Sequence, residues 1–149
     1  MAIARGAGTE IIRSIQLEAV ADTQRPLIMG VQHHIYTVLS VSCYAAGLNA
    51  AGDWVRMFLT GYDSHGGTTA QSLFVFLQDM QSQQTFVWND KFSFNGYEPV
   101  DFAGPMDSAA KQDALADQGS GVAQNLYIAA EHSGDNVDVF CTYIDQNNS

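Results

Sequence analysis

The run from Ile35 to Tyr44, Ile-Tyr-Thr-Val-Leu-Ser-Val-Ser-Cys-Tyr, constrains the fold more than any other part of the chain. β-Branched and aromatic residues dominate it, and such residues fit the pleated, half-buried surface of a sheet. Alternation puts Ile35, Leu39, Val41 and Cys43 on one apolar face, with Ser40 and Ser42 on the other.

Shorter runs of the same kind surround it. Residues 10–20 read as a first strand whose phase slips between Ile12 and Ile15, where a bulge is expected. Residues 27–29, 54–60, 72–77, 84–88 and 92–94 are further apolar pieces, separated by turn formers such as 48–53, Asn89-Asp90 and Asn95-Gly96. Residues 122–131 and 137–144 are the last two strands, and the loop 132–136 is short enough to join them as a hairpin. One helical window interrupts the series: Asp107 as cap, 108–118 as the helix, with Ala110, Ala114 and Leu115 on one side and Gly119 as the stop.

About seven to nine strands at short spacing, with one helix near 107–118, predict an all-β, two-sheet antiparallel β-sandwich of jelly-roll type. Residues 1–9 read as an N-terminal arm and residues 10–149 as one domain. A chain of 149 residues with 46% apolar content can bury a core without help from a metal or disulfide. Cys43 and Cys141 lie in apolar runs and read as reduced, buried thiols.

The formal charge of −10 repels nucleic acid and anionic membrane surfaces, and Arg5, Arg13, Arg25, Arg56, Lys91 and Lys111 form no patch. No apolar run reaches the ~20 residues of a spanning helix. The first ten residues lack the pattern of an export signal, so a cytoplasmic origin is expected.

No residue set qualifies as a catalytic, cofactor or metal site. His33, His34, His65 and His132 lack metal-ligand spacing, and neighbours such as His33 and His34 point to opposite faces of a strand. Asp63-Ser64-His65 has the residue types of a nucleophile triad but no nucleophile elbow around it. The stretch Glu131, His132, Asp135, Asn136 and Asp138 would offer oxygen ligands to calcium if the loop folded back, and reads otherwise as solvated hairpin polarity. Asp90, Glu98 and Asp101 are carboxylates near aromatic residues, the raw material of a glycosidase. Phe86, Trp88, Phe92, Phe94 and Tyr97 form an aromatic segment, read as core for the phenylalanines and open to an interface role for Trp88 and Tyr97.

The order of these segments resembles small β-sandwich virion proteins of tailed bacteriophages over approximately residues 15–145. The resemblance is carried by the strand beginning at Ile35, the Trp54-Val-Arg-Met-Phe-Leu strand, the Trp88-to-Gly96 turn region and the late pair ending at Ile144. It implies a non-enzymatic capsid decoration or cement protein, or a tail or neck component. A homotrimer would bind the major capsid protein, with the virion as its location and the host cytoplasm as its place of assembly. A carbohydrate- or receptor-binding module on the same sandwich, using Trp54, Trp88 or Tyr62, is the alternative.

Overall fold

The computed structural model describes residues 8–62, 71–99, 107–116 and 121–148. Among these residues eleven strands and one helix follow one another: β1 (Thr9–Val20), β2 (Arg25–Met29), β3 (His34–Gly47), β4 (Trp54–Tyr62), β5 (Gln71–Asp79), β6 (Thr85–Trp88), β7 (Phe92–Asn95), β8 (Tyr97–Pro99), α1 (Ala109–Ala116), β9 (Gly121–Ala123), β10 (Asn125–Ala130) and β11 (Asn136–Asn147). The strands outnumber the sequence expectation because a short β8–β9 pair is added, with Gln124 separating β9 from β10; β6 and β7 fall where 84–88 and 92–94 were expected.

All pairings are antiparallel. One sheet has the order β1-β11-β3, with β6 and β7 lying one after the other along the far edge of β3. The second sheet has the order β2-β10-β4-β5. Val38, Val41, Cys43, Val139 and Cys141 from the first sheet meet Val55, Met57, Leu126 and Ile128 from the second in one buried cluster. The fold is therefore the expected all-β sandwich.

Several local expectations are corrected. The apolar face of β3 is not continuous: Tyr36 and Val38 are buried, then Val41, Cys43 and Ala45, whereas Ile35 is exposed and Leu39 half-buried. Opposite it, Thr142 pairs with Ser40 and Tyr143 with Val38, so Leu39 is an extra residue that reverses the alternation. The slip in β1 lies between Leu17 and Val20, where Ala19 has φ +56°, and not near Ile12, which continues an unbroken ladder with β11.

The loop between the last two long strands makes no hairpin. β10 pairs with β2 and β4, and β11 pairs with β1 and β3, so residues 131–135 carry the chain from one sheet to the other. Gly96 is likewise no tight turn. Its N–H donates to the His34 carbonyl at 2.7 Å, and its own carbonyl accepts from Gln124 N–H at 2.8 Å. A side chain there would run into the Val31 carbonyl. Close approach of three backbones is what requires glycine.

The helix begins one residue later than the sequence suggests. Ser108, not Asp107, caps it by accepting from Lys111 N–H at 3.2 Å, while Asp107 forms an ion pair with the Lys111 ammonium at 2.7 Å. That hydrogen bond and the nearby charge hold the Asp107 carboxyl below its usual range. Gly119 lies outside the described residues, as do residues 1–7 of the arm.

Candidate functional site

The crossing loop 131–135 meets the β3–β4 turn and builds the most concentrated polar cluster among the described residues. Asp53 and Asp135 are both buried. Asp135 Oδ1 accepts from Asn49 N–H at 2.7 Å and its Oδ2 from His132 N–H at 2.8 Å. Asp53 Oδ2 accepts from Ala50 N–H at 3.0 Å and lies 3.1 Å from His132 Nδ1. Glu131 Oε2 accepts from Trp54 N–H at 3.1 Å, and Asp138 Oδ1 from Ala19 N–H at 3.2 Å. These carboxylates fasten the chain where it passes between sheets.

Burial pushes the Asp53 carboxyl up, but the adjoining Asp135 side chain, the hydrogen bond from the Ala50 amide and the contact with His132 outweigh this and leave it lowered. His132 is raised, first by its hydrogen bond to Asp53, against some loss of hydration, and further by the charges of Asp53, Glu131 and Asp135. One ligand atom from each of Asp53, His132 and Asp135 lies within 4.8 Å of the others, a spacing a cation could use. Both oxygens of Asp135 and one of Asp53 nevertheless already accept backbone amides. The arrangement is that of a loop clamp.

A second cluster sits at the other end of the sandwich. His34 Nδ1 is 2.7 Å from Asp145 Oδ1, and Arg13 approaches Asp145 Oδ2 at 3.8 Å. Tyr36 and Tyr143 pack beside it, both raised chiefly by burial. His33 is exposed in a turn with φ +67°, and with His34, Asn95 and Tyr97 it lines an open pocket of about 240 Å³. Asp145 falls in phase with the buried row Val137, Val139, Cys141 and Tyr143. A carboxylate in register with core positions was the sequence signal for this cluster, and ending the strand at Ile144 concealed it.

The aromatic segment divides. Phe86 and Trp88 turn inward onto Phe76, with ring centroids 5.1 and 5.8 Å away. Phe94 is buried, Phe92 stacks on it, and Tyr97 is half-buried at the pocket. A different aromatic group occupies the outer face of the second sheet. Phe58 alternates with the core residues Met57 and Leu59, so it faces away from the core and packs between Phe74 and Tyr127. The Arg56 guanidinium lies 4.8 Å from the Trp54 ring and 5.4 Å from that of Phe74, and its Nε is buried without an acceptor.

Cys43 and Cys141 are free and buried, and burial pushes both thiols up to about 12. Asp90 is exposed in the gap between β6 and β7. Asp63, Ser64, His65 and Asp101, and the side chains of Tyr62 and Glu98, lie outside the described residues.

No protein-family model and no curated protein matches the chain. Among solved structures, it is similar to a pilus protein of Bacillus endospore appendages, described as disulfide-linked pili, at 12% identity and TM-score 0.42. That match covers 100% of this chain and 97% of the other. It is also similar to chains of infectious bursal disease virus, Gx strain at 8% identity and TM-score 0.48 and Gt strain at 7% and 0.49. This chain spans 35% and 34% of those two.

Proposed function

We propose that the chain is a non-enzymatic structural protein of a virus particle, a capsid decoration or cement protein that self-associates and attaches to the major capsid shell. The supporting observation is how its groups are spent. The buried acids of the loop clamp are committed to backbone amides, while Ile12, Phe74, Val87 and Phe140 present exposed apolar surface on several strands. Exposed apolar groups of this size suit attachment through area rather than through chemistry. In this reading a homotrimer is the functional unit, the virion is its location and the host cytoplasm its place of assembly.

Light scattering after size exclusion at low concentration tests this. A stable trimer or larger ring is the expected result, and a monomer at every concentration would sink it.

Trp54 favours a second reading, a carbohydrate- or receptor-binding module. It is half-buried on the outer sheet face beside the Arg56 guanidinium, an aromatic surface with a polar donor. Glycan-array binding abolished in Trp54→Ala would support it, and a blank array would remove it.

A further inference from the structure

His33 and His34 are adjacent in sequence yet line one pocket, together with Ile35, Asn95, Tyr97 and Asn148. Successive residues of a strand point to opposite faces, and a turn is what brings these two imidazoles to the same side. His34 N–H donates to the Val31 carbonyl at 3.2 Å, closing a turn in which His33 holds the third position at φ +67°. Glycine or asparagine is the usual occupant of such a position, so an imidazole there carries strain that forming the turn does not require.

Both backbones are pinned. The His33 carbonyl accepts from Asn148 N–H at 2.8 Å, just after β11, and the His34 carbonyl accepts from Gly96 N–H at 2.7 Å, between β7 and β8.

The pocket wall is also supported from behind. Buried Asp145 lies 2.7 Å from His34 Nδ1. A carboxylate only accepts, so in the neutral ring the proton sits on Nδ1 and the lone pair on Nε2, which has no hydrogen-bond partner among the described residues. Buried Gln124 donates its side-chain amide to the Asn95 carbonyl at 3.1 Å and to the Asn95 side chain. Among the described residues, no Asp, Glu, Lys or Arg lines the pocket.

An imidazole that gives its N–H to a buried carboxylate, and keeps its other nitrogen for a pocket shared with a second imidazole, is held as metal-ligating histidines are held. We propose that His33 and His34 bind a divalent transition-metal ion of the class that favours imidazole nitrogen, such as Zn2+ or Ni2+, with Asp145 as the positioning residue behind His34. Water completes the coordination, held by the Tyr97 hydroxyl and the Asn148 amide in the wall. The Asp53, His132 and Asp135 cluster suits an ion less, because its carboxylate oxygens are committed to backbone amides.

Calorimetric titration of the full chain with zinc chloride tests this, with thermal melts to establish that each variant is folded. Wild type should take up one ion per chain, His34→Ala should lose it, and Asp145→Asn should bind about 10- to 100-fold more weakly. His33→Gly is the decisive variant, because glycine adopts the positive φ freely: its Tm should hold or rise while zinc uptake is lost. Imidazole nitrogen NMR of wild type should show His34 protonated at Nδ1 and its Nε2 resonance moving on zinc addition. Uptake that persists unchanged in His33→Gly or His34→Ala, or that disappears only in His132→Gln, overturns the proposal, as does a wild type that takes up none. An affinity unchanged in Asp145→Asn overturns the positioning role of that residue.

Discussion

Asp53 of the β3–β4 turn and His132 of the crossing loop meet at 3.1 Å although 79 residues separate them in sequence; Asp53 accepts the Ala50 amide, and His132 donates its own amide to the Asp135 carboxylate. The pair joins the turn that leaves the first sheet to the loop that returns to it. The pKa values of its two members are moved in opposite directions, Asp53 down and His132 up, which gives the contact a defined pH range.

The raised His132 contributes stability that is complete below its ordinary value of 6.5 and is lost as pH rises through the elevated folded value. The lowered Asp53 contributes stability present above its ordinary 3.8 and lost as pH falls through the depressed folded value. The clamp is therefore strongest between these two ordinary values. Replacing His132 with Gln should lower Tm most within that interval and little at alkaline pH, as read by thermal melts across a pH series.

Asp135→Ala removes the acceptors of two backbone amides, Asn49 and His132. Leaving two such donors unmatched should cost about 3 kcal/mol. Urea denaturation gives the value, and Asp135→Asn should recover part of the loss because it keeps one acceptor.

Gly96→Ala should be among the most damaging single-methyl additions in the chain. The new Cβ meets the Val31 carbonyl, which is backbone and cannot turn aside. A loss of about 3 kcal/mol or more is expected from chemical denaturation. Gly47→Ala, with open space at its Cβ, is the control and should change stability little.

The thiols of Cys43 and Cys141, pushed up to about 12 by burial, should not react with an aromatic disulfide reagent in the folded protein at neutral pH. Both should react at once in denaturant. A fast native phase would contradict the burial of these strands.

The strands themselves were legible because composition and alternation act locally: the β-branched run of β3 and the apolar pieces of β4, β5 and β10 announced a sandwich. Phase was harder to read. An extra residue at Leu39 reverses the inward face, and Leu39 is as apolar as its neighbours, so nothing in the sequence marks it as the one bulged out. The sheet to which a strand belongs was not legible, because loop 131–135 is as compatible with a hairpin as with a crossing. The loop's acids were noticed, but their partner Asp53 stood in what read as an ordinary turn. Arg56 went unmarked because its significance lies in ring faces contributed by two strands.

β6 and β7 each align on β3 by their own ladders, Thr85 to Trp88 against Tyr44 to Val41 and Phe92 to Asn95 against Val38 to Ile35. Asn89, Asp90 and Lys91 between them are exposed and pair with nothing in the sheet. Lengthening that connector shifts neither ladder, so it is a natural graft point. A peptide tag or epitope inserted there would be displayed at the rim of the sandwich, with the register on both sides set as before.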